Sequence, residues 1–252
     1  MDIGRFVKCV CRQHTSAANT PEWRFIYMTK NELKHFFEAQ PFWEHLEQGQ
    51  KTALLEQARQ VHYSSGQPVV SETSDCLGML FILQGTLRIY LQAEDGRQIT
   101  IYRLHTGEPC VLSASCALSA ITFDVLIDTE TDCDLLLIPS IFFSKLMREN
   151  IYLEAFAYRM TTEHFSSVMG AMERIFFMTL EQRVAAFLID ESAELGTASI
   201  PFTQEKLAMA IGSAREAVSR ILKQFSKDGS VALSRGCIQI LDKNALYRKL
   251  GM

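Results

Sequence analysis

The sequence predicts an α+β chain: an N-terminal antiparallel β-roll of jelly-roll type, a long helix, and a C-terminal winged helix-turn-helix. Three observations carry that prediction. Between residues 61 and 138, short stretches that alternate or run apolar are punctuated by glycines at turn-like intervals of about 10–19 residues. From Asn150 to about Met178 an apolar pattern of helical period runs without a proline. The stretch TQEKLAMAIGSAREAVSRILKQFS, residues 203–226, reads as two short amphipathic helices joined by a tight turn.

A chain of 252 residues has room for two modest domains. With 48% apolar and 21% charged residues its composition is globular. No apolar run approaches the roughly 18–20 residues of a membrane span. The N-terminal MDIGRFVKCVCRQH is interrupted by charge where a signal peptide would be apolar. The expectation is a cytoplasmic protein without a membrane. Seven cysteines, an odd number, do not suggest a secreted disulfide framework and are expected to be reduced.

Residues 1–27 have no clear period. They read as a disordered extension or as sequence upstream of the true start. The alternative is a metal or redox arm on Cys9, Cys11 and His14, although structural zinc sites use wider spacings and four ligands. Residues 31–60 are expected as two short helices parted by Pro41, with Phe36, Phe37, Phe42, Trp43, Leu46, Leu54 and Leu55 as packing residues. From Val61 the period becomes two, and strands are expected over 68–72, 78–83, 86–92, 98–104, 121–128 and 133–138. A short helix over 139–147 closes the roll.

The long helix carries Leu153, Phe156 and Met160, then Phe165, Met169, Met172 and Phe176, at i+3/i+4 steps. A helix of roughly 29 residues is about 43 Å long, more than one small domain covers. It is expected to bury its stripe against a copy of itself, in a parallel homodimer through 150–178. Residues 181–194 read as a further amphipathic helix, and LGTAS as a loop.

In the 203–226 stretch, Leu207, Ala208 and Ile211, then Val218, Ile221 and Leu222, give each half one apolar face. Thr203 offers a hydroxyl N-cap, Gly212 the left-handed turn, and Ser213 a cap for the second helix. Arg215, Glu216, Ser219 and Arg220 are then left outward, as on a helix that enters a DNA major groove. The plainer alternative, a core hairpin, has no use for such a face. A short hairpin follows, VALS-RG-CIQIL, with a basic tip at Arg235: a wing. Residues 201–252 hold nine Lys+Arg against four Asp+Glu, while the remainder holds 16 against 25. Positive charge gathered on one segment of an acidic chain suits phosphate binding.

At these residues the chain resembles the Crp/Fnr family of bacterial transcription regulators. Arg215, Glu216, Ser219 and Arg220 match the family's base-reading element. Phe81-Ile82-Leu83-Gln84-Gly85 and Leu104-His105-Thr106-Gly107-Glu108 resemble landmarks of its cyclic-nucleotide-binding fold. The resemblance implies a sensor domain over 28–148, a dimerisation helix over 149–179 and a DNA-binding domain over 180–252. It also implies an effector, and contact with RNA polymerase if the protein activates. Arg215 and Arg220 would reach guanine, Glu216 a cytosine amine, and Ser219 a base or phosphate. Thr203, Gln204 and Arg235 would hold phosphates. Two recognition helices about one DNA turn (~34 Å) apart imply a palindromic site. Glu-x-x-Ser-Arg resembles the fumarate–nitrate-regulator branch, which suggests a TTGA-type half-site.

Nucleotide-binding members of the family open a phosphate cassette with Gly-Glu and close it on Arg-Ser or Arg-Thr. Here Gly107-Glu108 is present, but no arginine lies between Arg103 and Arg148, and Ile121-Thr122 stands where Arg-Ser would be. Without a guanidinium a buried phosphate loses its bidentate partner, which argues against cyclic AMP or cyclic GMP. Glu108, Cys110, Ser113, Ser115, Cys116 and Thr122 are the effector or redox candidates. Cys110 and Cys116 read as a redox pair or as ligands of a cluster or metal, or else as two small buried residues. His105 is the one histidine considered as a haem or metal ligand; no metal site is assigned. Haem and iron–sulfur stay open as cofactors.

Two other classes compete. A cupin-like metalloenzyme needs His and Glu ligands clustered on adjacent strands, and the roll holds only His62 and His105 among histidines. A ligand-binding scaffold without DNA binding would have no use for Arg215, Glu216 and Arg220. The expectation is a regulator and not an enzyme.

Overall fold

The computed structural model describes residues 28–69, 77–111, 113 and 126–251. They divide into two compact units, one ending at Ile89 and resuming over Tyr102–Ser166, the other formed by Tyr90–Ile101 and the chain from Ser167 on.

The first unit opens with α1 (Lys30–Glu38), a 3-10 turn (Trp43–His45) and α2 (Gln48–Gln57). Thr29 starts α1 through a reciprocal capping box: its hydroxyl accepts from the Glu32 amide at 3.3 Å, and Glu32 accepts from the Thr29 amide at 2.8 Å. The strands are β1 (Arg59–Tyr63), β2 (Gly78–Gln84), β3 (Thr86–Gln92), β4 (Gln98–His105), β5 (Pro109–Cys110), β6 (Leu126–Thr129) and β7 (Cys133–Pro139). They form two sheets, in the orders β1-β7-β2-β5 and β4-β3-β6. In the first, β7 pairs antiparallel with both β1 and β2.

Period-two geometry explains the unbroken apolar run of β2. Met79 and Phe81 enter one core with Phe37, Phe42, Trp43, Leu54 and Phe143, while Leu80 and Ile82 enter another with Val61, Leu87, Ile89, Leu104 and Leu135. A strand buried on both faces has no polar side to alternate.

Gly85, between β2 and β3, has φ +98°, and a Cβ at this position would run into the Asp132 carbonyl oxygen. Gly85→Ala therefore meets both a left-handed backbone and a neighbouring main chain, and is expected to destabilise by on the order of 3 kcal/mol. The urea midpoint measures it.

After α3 (Ser140–Glu149) comes α4 (Ile151–Phe177). The Asn150 carboxamide starts it, accepting from the amides of Tyr152 and Leu153 at 3.1 and 3.2 Å. The helix carries two apolar stripes with different fates. Leu153, Phe156 and Ala157 are buried in the first core, with Met160 packed beside them. Phe165, Met169, Met172 and Phe176 are exposed. The sequence-based expectation of burial against a second copy thus applies only to the second stripe.

The second unit contains α5 (Leu180–Leu195), β8 (Ser199–Ile200), α6 (Gln204–Ile211), α7 (Arg215–Lys227), β9 (Val231–Ser234), β10 (Cys237–Ile240) and α8 (Lys243–Lys249). Val184, Leu188, Leu207, Val218, Leu222, Phe225, Ile238 and Leu246 meet in one core. The expected loop at LGTAS ends in β8, which pairs with β10 to make the wing three-stranded in the order β8-β10-β9. Two residues are too few to show a period.

Lys249 Nζ sits 2.7 Å from Asp228 Oδ2 and 3.5 Å from Glu181 Oε1, which joins α8 to α5 and the end of α7. Partial burial would raise the Asp228 pKa, but hydrogen bonds from Lys249 and Ser230 outweigh it and hold the carboxyl below its usual range. A carboxyl depressed in the folded state contributes stability above its unfolded pKa, near 3.9, and loses it as pH falls through the folded value. Acid unfolding below about pH 4 is expected to be less steep in Asp228→Asn, as followed by circular dichroism.

Candidate nucleic-acid interface

The helix-turn-helix is α6 and α7. Thr203 caps α6, its hydroxyl accepting from the Lys206 amide at 3.1 Å. Gly212 ends the helix with φ +67°, and the amides of both Gly212 and Ser213 return to the Ala208 carbonyl. This closure corrects one expectation. Ser213 belongs to the end of α6, and the N-cap of α7 is Ala214, without a side-chain hydrogen bond. Closing a left-handed turn through two successive amides moves the second helix one residue on. Arg215 becomes its first residue.

Arg215, Glu216 and Arg220 are exposed on α7 and Ser219 is half-buried, while Val218, Leu222 and Phe225 face the core. Thr203 is exposed, Gln204 is the half-buried first residue of α6, and Arg235 is exposed in the turn between β9 and β10. Two of the segment's four acids are engaged elsewhere: Asp228 with Lys249, and Asp242 with Arg248 at 3.3 Å. Arg215, Arg220 and Arg235 have no ion pair among the described residues. Unneutralised guanidinium groups on a helix face and a wing tip suit base edges and phosphates.

One supporting residue escaped the sequence reading. Arg183, on α5, donates from Nη1 to the Ile211 carbonyl at 2.9 Å. A cation at the C-terminal end of α6 satisfies an orphan carbonyl and complements the helix dipole. Burial pulls its pKa down. No local pattern links residues so far apart.

The effector candidates have mixed positions. Glu108 is exposed and accepts from the His105 amide at 2.6 Å, closing its own turn. Cys110 is fully buried in the core between the strands. Ser113 is buried with its hydroxyl 2.6 Å from the Gly78 carbonyl oxygen and 2.8 Å from that of Cys110, so its one proton serves backbone. Ser115, Cys116 and Thr122 lie outside the described residues, as do Cys9, Cys11 and His14. His105 Nδ1 is 3.3 Å from Thr86 Oγ1, beside an open polar cleft that Gln84 and Asp132 also line. Sequence reading also missed Tyr102 on β4 and His164 on α4, whose rings stack with centroids 4.8 Å apart.

Comparison with known proteins agrees with this architecture. Residues 182–249 match the family model of the Crp-like helix-turn-helix domain, and residues 60–150 that of the cyclic nucleotide-binding domain. A crystal structure of a transcriptional regulator assigned to the Crp/Fnr family, from Eubacterium rectale ATCC 33656, is 35% identical with a TM-score of 0.80, covering 84% of this chain and 99% of that one. The nitrogen fixation regulation protein FixK of Bradyrhizobium diazoefficiens is 25% identical over 191 residues, 73% of this chain and 78% of FixK. The Thermus thermophilus regulator TTHA1359 shares the fold at 20% identity and a TM-score of 0.59, covering 77% of this chain and 99% of its own. With an exposed recognition helix, a wing, a β-roll and a near full-length relative in hand, the chain belongs to the Crp/Fnr family of DNA-binding transcription regulators.

Proposed function

We propose that the protein is a homodimeric, sequence-specific regulator whose β-roll receives a signal other than cyclic AMP or cyclic GMP. The observation that carries the dimer is the second stripe of α4. Phe165, Met169, Met172 and Phe176 are 61, 47, 40 and 70% exposed, on a helix whose other stripe is already buried. Apolar side chains recurring along one face of a long helix fit a second copy of the same helix. In this reading residues 149–179 are the dimerisation helix, 28–148 the sensor and 180–252 the DNA-binding domain, with 1–27 an extension.

Arg215, Glu216, Ser219 and Arg220 read base edges, and Thr203, Gln204 and Arg235 hold phosphates. The lack of any arginine between Arg103 and Arg148 supports a signal that is not a cyclic phosphate. The signal shifts the population between two dimer geometries that set the spacing of the recognition helices. The protein works in the cytoplasm, on DNA, with RNA polymerase as a further partner where it activates.

Two measurements test this. Light scattering on the purified chain should give twice its 28.6 kDa mass. Selection from random duplex DNA should return a palindrome with half-site centres about one helical turn (~34 Å) apart. A monomeric mass with no enriched sequence would overturn the reading.

A further inference from the structure

Tyr102 and His164 stack with their planes within 6°. The Tyr102 hydroxyl and His164 Nε2 are both sealed from solvent, and neither has a hydrogen-bond partner among the described residues. A buried polar atom left unpaired costs about 1–3 kcal/mol, so native structures keep few. Two on one stacked pair leave a buried donor and a buried acceptor that nothing among the described residues answers.

The charge state of the pair narrows what an external partner would be. Burial, with a contribution from Cys110, raises the Tyr102 pKa, so the phenol keeps its proton and can donate. Burial lowers the His164 pKa, outweighing the Pro109 carbonyl, Glu108 and Glu163, which act the other way. The imidazole is therefore neutral at neutral pH. With its N–H directed to the Pro109 carbonyl, Nε2 is left as an acceptor. An anion finds little welcome here: Glu108 and Glu163 act on the imidazole, and Arg103 is engaged with Glu130 at 2.6 Å.

We propose that Tyr102 and His164 anchor the effector of the sensor half, a small uncharged molecule presenting a hydrogen-bond acceptor and donor side by side, as a carboxamide or lactam edge does. This rests on the reading of that half as an effector domain, and names the class of ligand it takes. The acceptor meets the Tyr102 hydroxyl and the donor meets Nε2. His164 immediately precedes Phe165, the start of the exposed stripe, so a ligand held there acts on the helix proposed to join two copies.

The full-length protein, isotope-labelled at its histidine rings, is titrated with benzamide, benzoate and benzyl alcohol and followed by NMR, with His164→Gln to assign the signal. Fragments of this size bind in the roughly millimolar range. Benzamide should shift the His164 signal saturably and bind about tenfold more tightly than benzoate, a difference of about 1.4 kcal/mol. Tyr102→Phe keeps the ring and removes only the unpaired hydroxyl, so it should melt at or above the wild-type temperature while losing most benzamide binding.

The proposal is overturned if benzamide binds no better than benzoate. It is also overturned if Tyr102→Phe melts several degrees lower, the mark of a hydroxyl held by a bound water or supporting the fold. DNA affinity measured in parallel separates the two readings. Benzamide bound at this pair with DNA affinity unmoved supports the subsite and counts against effector control. No benzamide binding, with DNA affinity responding instead to thiol oxidation, sinks the subsite and leaves effector control standing.

Discussion

Arg220→Ala is expected to erase most sequence preference while leaving the protein folded and able to bind DNA. Arg220 is exposed on α7 and makes no ion pair among the described residues, so nothing in the domain loses a partner when it is truncated. A guanidinium that pairs with guanine O6 and N7 contributes about 1–3 kcal/mol of discrimination against the wrong base, or roughly 5- to 150-fold per half-site. A symmetric dimer applies that loss twice. Arg235→Ala gives the contrasting result. A wing arginine on a phosphate carries no sequence information, so its loss should weaken all sequences alike and reduce the slope of log affinity against log salt by about 0.9 per contact removed. Binding titrations on the selected site and on a scrambled duplex, at several salt concentrations, separate the two. An unchanged specificity ratio in Arg220→Ala would assign base reading to other residues.

The helix-turn-helix was legible because its information is local. Helical period, a threonine cap, a glycine at the turn and an exposed Arg-Glu-x-x-Ser-Arg face all lie within one short stretch. The one local error, Ser213 as the cap of α7, arose because capping chemistry does not reveal how many amides a left-handed closure uses. The strands of the roll were legible as segments. Their partners were not: β7 pairs with β1 and β2, far away in sequence, and the two-residue β5 and β8 offer no period to detect.

Long-range polar geometry was invisible altogether. Arg183 reaches Ile211 and Tyr102 stacks on His164 only because the fold brings them together. The cysteine hypothesis shows the converse limit. Cys110 turns out to be buried among aliphatic side chains, where free thiols often serve as small apolar residues, while its suggested partner Cys116 lies outside the described residues.

Charge reversal on the outer stripe of α4, as Phe165→Glu with Met172→Glu, is expected to give a folded monomer that no longer holds a palindromic site. Both residues are exposed, so the substitutions add charge to surface and remove little from the chain's own core. Facing a second copy, four like charges would come together where apolar contact is proposed. A monomer engages one half-site at a time. It loses the effective concentration that makes the second half-site an intramolecular event, a factor of about 10²–10⁴. Phe156→Ala, on the inner stripe of the same helix, should behave in the opposite way. Phe156 is buried against Phe42 with ring centroids 5.1 Å apart, and its truncation should cost about 3–5 kcal/mol of stability without changing the mass of the protein that remains folded. Light scattering and thermal melts on the two variants therefore divide the stripes between them. If the outer-stripe variant stayed dimeric, association would have to run through another surface, and α4 would lose the role proposed for it.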